Sequence, residues 1–330
     1  MPTSEQVLHW DTRALREQLA PVLPALSVEV VERIASTNTA LLDRTRLAYP
    51  PEPADTLPAA VRRSVESAAF ARGDVESATF GRRAADVQPC LLVAEQQTAG
   101  RGRQGRAWRS APRASLTFSL ALPLQVSDWS GLSLAVGVAL AEALDPRAGT
   151  PGRGPGGASI GLKWPNDLWL MGSDGTGRKL GGILIETIAA GVCRLAVIGI
   201  GLNVRPMALS DAGTGFASLQ ELDPAASAPG VLHLVALPLA LALRQFERDG
   251  FAAFSQRFAA RDLLRGQPVR TTQPDVPEGV AQGVSAQGAL LVQTASGLKP
   301  VSSGEVSVRL NLPAGPAAVR PDVLWVPPSC

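Results

Sequence analysis

Residues 100–108 read Gly-Arg-Gly-Arg-Gln-Gly-Arg-Ala-Trp and lie between two apolar runs, residues 90–94 and 115–121, that we predict to be strands. The glycines let the backbone approach a ligand closely, and the arginines offer forked donors to a carboxylate or a phosphate. A flexible loop or an RGG-like nucleic-acid segment would have a similar composition. RGG segments lie in long disordered repeats, whereas strands bracket this one, so we predict an ordered anion-binding loop.

Strands and helices follow one another outward from this loop. Residues 131–144 carry almost no charge and are predicted to form a buried helix. Ser36, Thr37 and Asn38 precede an apolar Ala-Leu-Leu sequence, so they are candidate N-caps of another helix. The other predicted helices are residues 11–19, 229–248 and 251–261, and the other predicted strands are residues 26–31, 159–163, 168–171, 182–187 and 194–200.

The pattern changes at Gly266, after which only short strands are predicted. They cover residues 266–270, 280–284, 289–294 and 306–310, are separated by glycine-containing turns and have the size of a small β-barrel. We therefore divide the chain into a larger domain, a small β domain and an irregular tail, at residues 1–265, 266–312 and 313–330. Residues 44–89 interrupt the larger domain and are predicted to be a surface insertion without chemistry.

The composition is that of a globular protein. The chain has 330 residues, of which 45% are hydrophobic and 18% charged, and a net charge of +2. This excludes a disordered chain and gives no global attraction to nucleic acid or anionic lipid. The longest apolar stretches, residues 195–204 and 231–243, are too short to span a membrane, and residues 1–10 lack a signal-peptide pattern. We predict a soluble, cytoplasmic protein that binds neither membrane nor nucleic acid.

Three cysteines and two histidines limit the chemistry. No Cys-x-x-Cys spacing occurs, so the sequence offers neither a disulfide framework nor a thiolate zinc site. His9 lies near the terminus and His233 lies in an Ala/Leu-rich helix. Buried or incidental roles suit both histidines better than a catalytic triad or a metal centre does. Catalysis must then rely on Arg, Lys, Asp, Asn and backbone groups.

Lysine is rare in this chain, with three among the 31 basic residues. A general bias toward arginine explains most of this imbalance, but a lysine that remains in such a chain can mark a place where a compact point charge is needed. Lys163 begins the sequence Lys-Trp-Pro-Asn-Asp, in which the lysine could meet a phosphate, Asn166 a base or a ribose, and Asp167 a Mg²⁺ ion. The same pentapeptide could equally be a surface turn. Lys179 precedes Leu-Gly-Gly at the start of a strand.

A further motif, Gly-Ile-Gly-Leu-Asn-Val at residues 199–204, ends an apolar strand. Its glycine spacing is not that of a dinucleotide-binding fingerprint, and no helix pattern follows it. Two interpretations of the motif alone are equally good. One is a strand end packed close to a ligand, with Asn203 as a polar contact, and the other is a glycine-weakened core strand.

Five motifs, taken together and in order, resemble those of the biotin–protein ligases. They are Ser-Thr-Asn at 36–38, Gly-Arg-Gly-Arg-x-Gly-Arg-x-Trp at 100–108, Lys-Trp-Pro-Asn-Asp at 163–167, Arg-Lys-Leu-Gly-Gly-Ile-Leu at 178–184 and Gly-Ile-Gly-Leu-Asn-Val at 199–204. The resemblance runs from residue 28 to residue 310, apart from residues 44–89. It implies an α+β fold: a biotin/lipoate ligase catalytic domain, with a mixed sheet like that of class II aminoacyl-tRNA synthetases, followed by an SH3-like β-barrel.

The reaction of that family is the function that the resemblance implies. Biotin and ATP give biotinyl-5′-AMP and pyrophosphate, and a lysine of the biotin carboxyl carrier protein then takes the biotinyl group. The expected ligands are biotin, ATP and Mg²⁺, and the expected partner is the carrier of acetyl-CoA carboxylase or of a related carboxylase. Two anions must be brought together in this reaction, so a cluster of Arg and Lys with Mg²⁺ suits it.

The resemblance also implies a role for each motif residue. Lys179, Arg101 and Arg103 would be catalytic, with the arginines clamping the carboxylate and the α-phosphate while Lys179 stabilises developing charge. Asp167 would hold the metal. The residues expected to bind biotin or ATP, of which the first four would meet the ureido group of biotin, are Ser36, Thr37, Asn38, Gln97, Gly100, Gly102, Arg106, Trp108, Lys163, Asn166, Gly201 and Asn203.

Other interpretations stay open beside this one. Lipoate or octanoate ligases share the fold and need a lysine, although the arginine-rich loop favours biotin. An RNA-binding module could use the same loop and the β-barrel. A degenerate, binding-only protein is less consistent with the intact Lys179 and Asp167. We expect no DNA-binding repressor domain, because too few residues precede the matching region, and a homodimer is compatible with the resemblance.

Overall fold

A computed structural model describes residues 8–50, 87–146, 157–190, 193–207, 215–302 and 308–310. The strands of its larger part are β1 Ser27–Ile34, β2 Cys90–Gln97, β3 Gly100–Arg101, β4 Ala107–Trp108, β5 Ser115–Pro123, β6 Ser159–Lys163, β7 Asp167–Met171, β8 Gly177–Ala190 and β9 Cys193–Asn203. Seven of them form one sheet in the order β1-β2-β5-β9-β8-β7-β6, and β3 pairs with β4 beside it. β1 and β2 are parallel and the other neighbours in the sheet are antiparallel, so the sheet is mixed.

Helices cover both faces of this sheet. They are α1 Thr12–Leu19, α2 Thr37–Ala48, α3 Leu132–Leu144, α4 Ala228–Asp249 and α5 Ser255–Ala259. Successive strand residues point to opposite faces. Leu91 of β2 therefore joins the main core with α1, α3, α4 and α5, whereas Leu92 packs with Leu41 and Leu42 of α2 in a second cluster. The start of α2 thus reaches the sheet from the face opposite the main core.

Helix α4 is the one helix in the described part of the chain that is long and apolar enough to cross a membrane. Leu232, Val235, Leu239 and Leu243 of this helix are buried in the main core. The same helix ends at Gly250, which closes it with a hydrogen bond to Phe246. We assign its apolar character to the packing of the core.

The C-terminal strands form a separate antiparallel sheet in the order β13-β12-β11-β10-β14. Their bounds are β10 Pro268–Thr271, β11 Glu278–Val284, β12 Leu290–Thr294, β13 Gly297–Val301 and β14 Val308–Leu310. The small sheet contacts the larger domain at Trp164, whose indole Nε1 donates to the carbonyl of Gly288 at 3.0 Å. Gly288 has a φ of 81°, and a Cβ there would lie 2.8 Å from Gly131 Cα, so the two backbones touch because neither has a side chain.

Several predicted boundaries need correction. The helical pattern is predicted to end near residue 44, but α2 continues to Ala48. The predicted loop at residues 100–108 contains β3, β4 and a short 3₁₀ turn. Strand β8 begins at Gly177 rather than at residue 182. The helix predicted at 251–261 is a 3₁₀ turn followed by the short α5, and β13 was not predicted. Tertiary pairing decides these cases, because a two-residue strand or a Gly-Leu-Lys-Pro-Val strand has almost no pattern of its own. Residues 51–86, most of the predicted insertion, and the tail 313–330 lie outside the described residues.

Candidate active site

A cavity lies beside the sheet, and the loop that carries β3 and β4 lines it together with the start of α2. Its lining combines three kinds of group. Neutral polar side chains come from α2 and β2, apolar side chains come from Phe118, Ile183 and Ile200, and charged side chains come from the loop, from Asp167 and from Lys179. The cavity can therefore hold a ligand with a polar head, an apolar middle and an anionic end.

The first turn of α2 forms the neutral polar part. Ser36 caps the helix, since its Oγ accepts from the backbone N–H of Thr39 at 3.4 Å, and the next residues are then held inside the protein. Gln97 Oε1 accepts from the backbone N–H of Thr37 at 2.8 Å. Ser119 Oγ of β5 lies 2.6 Å from Thr37 Oγ1 and also 2.6 Å from Asn38 Oδ1. Hydroxyl and amide groups of three elements thus meet in one buried network.

The orientation of the Asn38 amide is fixed by its partners. Nδ2 donates to the carbonyl of Leu184 at 3.2 Å and to Oε2 of Glu186 at 3.0 Å, so Oδ1 must face Ser119. Gly199 packs against this amide so closely that a Cβ at position 199 would lie 2.8 Å from Asn38 Cγ. The glycine of β9 is therefore required by the close approach of Asn38.

The loop is anchored at its two ends and carries its arginines to different parts of the cavity. Gly100 pairs with Trp108, and the N–H of Gly102 donates to the carbonyl of Arg106 at 2.7 Å. Arg101 Nη2 donates to Glu186 Oε1 at 3.1 Å, which places this guanidinium beside the neutral polar end. The structure thus holds Arg101 beside Glu186, which also contacts Asn38.

Arg103 is half-buried at the charged end. Burial is the largest effect on it and lowers its pKa, Asp167 raises the pKa, and Arg106 lowers it again. These opposing influences show that two guanidinium groups and one carboxylate share this end of the cavity. An arginine that loses hydration here gains from any anion that enters.

Lys179 is aimed at Asp167 by an irregularity in β8. Trp169 pairs with Lys179 and Leu168 with Gly181, so Leu180 is an extra residue, a β-bulge next to the site. The ammonium donates to Asp167 Oδ1 at 2.8 Å and lies near Gly182. With side-chain exposures of 33% for Lys179 and 21% for Asp167, both groups remain reachable by a ligand.

Trp108 lies flat against β9. A Cβ on Gly201 would come within 2.7 Å of the indole Nε1, so only glycine leaves room for the ring. This Nε1 is buried and has no hydrogen-bond partner among the residues described. Asn203 is buried, and its Nδ2 donates to the carbonyl of Lys179 at 3.2 Å, so it holds the backbone of the lysine in place.

The predicted metal ligand fits Mg²⁺ in a limited way. The described ranges contain no group of three or more His, Cys, Asp and Glu side chains that could hold a metal ion by themselves. Mg²⁺ is commonly held by one or two carboxylates together with substrate phosphates and water. Asp167 can supply one carboxylate oxygen, and Asn166, whose Nδ2 is occupied by the carbonyl of Ile183 at 2.8 Å, can supply Oδ1.

Most of the predicted site residues line the cavity, with three exceptions. Lys163 Nζ lies 4.7 Å from the centre of the Trp169 ring, outside the cavity. Gly100 is buried behind Trp108, and Asn203 lies beneath Lys179. Of these, Gly100 and Asn203 support groups that line the cavity.

Sequence reasoning missed Ser119, Glu186 and Gly199. Ser119 and Glu186 are polar residues inside apolar strand sequences, Phe-Ser-Leu and Ile-Glu-Thr. A polar side chain on a buried strand needs a partner, and that requirement was a usable signal. Nothing in the sequence, however, indicated that the partner would be Asn38.

Comparison with known proteins identifies the fold. Residues 84–203 match the family described as "Biotin/lipoate A/B protein ligase family", and residues 265–309 match "Biotin protein ligase C terminal domain". A biotin protein ligase of Aquifex aeolicus, solved in complex with biotin and ATP, superposes with a TM-score of 0.62 at 24% identity, covering 86% of this chain and 99% of that one. The fold is thus that of the biotin/lipoate protein ligases.

Two curated relatives show to which family of this fold the chain belongs. A "Biotin--[acetyl-CoA-carboxylase] ligase" of Mycobacterium tuberculosis is 33% identical over 239 residues, which cover 67% of this chain and 80% of that protein. The chain belongs to the biotin protein ligase family, and the resemblance and the fold class are confirmed. "Bifunctional ligase/repressor BirA" of Escherichia coli is 35% identical over 223 residues, 66% of this chain, and the chain spans 65% of its length.

Proposed function

We propose that this protein is an ATP-dependent ligase that makes biotinyl-5′-AMP and transfers biotin to a lysine of a biotin carboxyl carrier protein. The observation that carries the proposal is the cavity, which has a neutral hydrogen-bonding end, apolar walls and a cationic end. The family membership and the biotin and ATP complex of the Aquifex relative support it.

The neutral end suits the ureido group of biotin. A cyclic urea offers two N–H donors and one carbonyl acceptor, and the side chains of Thr37, Asn38 and Gln97, which line the cavity, offer both kinds of partner. The alkyl or dithiolane end of octanoate or lipoate could not pair with these buried polar groups. A site built for hydrogen bonding rejects a ligand that lacks the matching groups.

The two ends of the cavity lie at different levels along β8. Asn38 contacts β8 at Leu184, and the ammonium of Lys179 lies near Gly182, two residues earlier. At about 3.3 Å per strand residue, these levels are roughly 7 Å apart along β8. Phe118, Ile183 and Ile200 supply apolar surface in the same cavity for the ring and the chain between head and carboxylate.

The first half-reaction is a displacement at phosphorus. A carboxylate oxygen of biotin bonds to the α-phosphorus of ATP as the bond from that phosphorus to the bridging oxygen breaks, and pyrophosphate leaves. Arg103 and Lys179 bring the two anions together and stabilise the charge that builds up between them. When bound at Asp167, Mg²⁺ supplies further positive charge to the phosphate oxygens.

The second half-reaction moves the biotinyl group to the carrier. The neutral amine of the carrier lysine attacks the carbonyl carbon of the mixed anhydride, the bond to the phosphate oxygen breaks, AMP leaves, and the nitrogen releases one proton to water as the amide forms. No nucleophilic side chain of the ligase is needed, which suits a cavity lined by arginines, a lysine and amides. Arg101 and Arg106 lie on the loop that covers the cavity and help to exclude water from the anhydride.

Isotope exchange between pyrophosphate and ATP tests the first half-reaction and its substrate. We expect exchange that requires both Mg²⁺ and biotin, and no exchange when octanoate or lipoate replaces biotin. Exchange with octanoate alone would move the protein to the lipoate branch of the fold family. No exchange with any of the three acids would contradict an adenylating enzyme.

A further inference from the structure

A second structural unit touches Lys179 from outside the cavity. Residues 215–222, here called the strap, follow the last strand of the large sheet and run beside the start of β8. Phe216 of the strap forms a parallel bridge with Lys179. The N–H of Ala217 donates to the carbonyl of Lys179 at 3.0 Å, and Asn203 Nδ2 donates to the same carbonyl at 3.2 Å. The backbone of the lysine is therefore held from two sides.

The side chain of Arg178 fastens the strap to β8. Its Nη1 donates to the carbonyl of Phe216 at 3.0 Å, and its Nη1 and Nη2 reach the two carboxylate oxygens of Glu221 at 3.3 Å and 2.5 Å. Gly215 lets the strap pass this close, because a Cβ there would lie 2.8 Å from Arg178 Cγ. One guanidinium thus binds both ends of the strap.

Glu221 is in turn fixed within the strap. Its Oε1 accepts from the N–H of Ser218 at 2.8 Å, and the N–H of Glu221 donates to the carbonyl of Ser218 at 3.1 Å, so the carboxylate closes a short 3₁₀ turn. Burial raises the pKa of Glu221, but the hydrogen bonds from Arg178 and Ser218 outweigh it and the pKa lies below its ordinary value. The carboxylate is therefore ionised and held in place at neutral pH.

We propose that the Arg178–Glu221 pair is a positioning device for Lys179. β9 pairs with β8 only from Gly181 onward, so the start of β8, which pairs with β7 on its other side, has no β9 partner just where the lysine must be aimed. The strap takes the place of this partner. The Arg178–Glu221 ion pair fixes the strap against β8, and the strap holds the carbonyl of Lys179 so that the ammonium stays on Asp167. The catalytic consequence of this device rests on the proposed function, whereas the device itself does not.

The reactivity of Lys179 toward acetic anhydride measures this positioning without any substrate. The chain has three lysines, so peptide mass spectrometry gives a separate acetylation rate for each one. In Glu221→Gln and Arg178→Met, we expect the Lys179 rate to rise severalfold because the ammonium is no longer held on Asp167. The Lys163 and Lys299 rates should stay unchanged. Arg178→Lys, which keeps the charge but cannot fork, should fall between the wild type and Arg178→Met.

Glu142→Gln is the matched control. The Arg257–Glu142 ion pair links α5 to α3 outside the cavity, and its side-chain exposures of 38% and 36% resemble the 40% and 34% of Arg178 and Glu221. Glu142→Gln therefore removes an ion pair of similar exposure and leaves the strap unchanged. An unchanged Lys179 rate in Glu221→Gln, or an equal rise in Glu142→Gln, would overturn the proposal.

Kinetics then separates positioning from general stability. In biotin-dependent pyrophosphate exchange, Glu221→Gln should lower kcat by about 10- to 100-fold while the KM for biotin changes by less than about twofold. A normal kcat in a variant with altered Lys179 reactivity would overturn the positioning role. If wild-type protein shows no exchange, the proposed function fails, but the acetylation rates still decide whether the pair positions Lys179.

Discussion

Asn38 illustrates how single residues prepare the cavity for a polar ligand. Its Nδ2 is committed to Leu184 and Glu186, and its Oδ1 faces Ser119, so the amide cannot flip without losing three contacts. Preorganised dipoles of this kind need no rearrangement when a ligand binds. Glu186 contacts both this amide and Arg101 of the covering loop, so the conformation of the loop and that of the polar end depend on each other.

Lys179→Ala tests the charged end at the residue scale. Removal of the ammonium leaves Asp167 without its partner and removes positive charge from the reacting centre. We expect single-turnover synthesis of biotinyl-5′-AMP to fall at least about 100-fold, as when one stabilising donor is lost from an active site. Quenched reactions analysed by chromatography give the measurement, and adenylate formed at a near-normal rate would refute this role for Lys179.

Gly201→Ala tests the place of Trp108. The new methyl group would overlap the indole ring, which is rigid and packed against β9, so the ring must move. The resemblance implies that Gly201 lines the nucleotide side and that Trp108 packs over the adenine or anchors the loop. We therefore expect the KM for ATP to rise about tenfold or more, and the affinity for biotin, measured by calorimetry, to change little. A larger loss for biotin than for ATP would show that Trp108 serves the other ligand.

At the scale of elements, the strands near the motifs could be predicted because their sequences are apolar and bounded by turns. The five motifs lie at the start of α2, in the loop that carries β3 and β4, between β6 and β7, in β8 and at the end of β9, and their order along the sequence indicates the family. The bulge at Leu180 could not be predicted, because Lys-Leu-Gly-Gly is compatible with a regular strand and only the register against Trp169 and Leu168 reveals the extra residue. Contacts between distant elements, such as Glu186 with Asn38, likewise depend on packing.

Ser36→Ala tests whether helix α2 positions the ureido end. Loss of the N-cap should lower the free energy of unfolding by about 1 kcal/mol and disturb Thr37 and Asn38, so biotin affinity should fall. Ser227→Ala is the matched control, since Ser227 caps α4 in the same way and lies outside the cavity. Denaturant titration and calorimetry should show a similar loss of stability in both variants and weaker biotin binding only in Ser36→Ala. If Ser36→Ala binds biotin as tightly as Ser227→Ala does, α2 does not position the ureido end.

At the scale of the whole molecule, the two domains meet at a tight joint. Trp164 donates across it to Gly288, and Gly288 touches the backbone of Gly131. Asp262 lies at the same junction, where it forms an isolated bridge with Leu162, and its Oδ2 is buried without a hydrogen-bond partner among the described residues. The joint thus contains a carboxyl group whose charged form is poorly accommodated.

This group makes stability depend on pH. Burial, only partly offset by the N–H of Leu264, raises the pKa of Asp262 above its ordinary value. Between the ordinary value, about 4, and the raised one, the folded chain keeps a proton that the unfolded chain has lost, so stability falls as pH rises. Asp262→Asn stays neutral, and its stability relative to wild type should therefore increase from acid toward neutral pH. Denaturant titrations across this range measure the difference, and a constant or decreasing difference would contradict the assignment.

Intact-mass spectrometry of a carrier protein shows whether this ligase transfers biotin to it. A biotin carboxyl carrier domain is incubated with the protein, Mg²⁺ and either biotin or octanoate, with and without ATP. We expect a mass increase of one biotinyl group that requires ATP and disappears when the carrier lysine is replaced. An unmodified carrier in the biotin reaction, or an octanoyl adduct in its place, would contradict the proposed function.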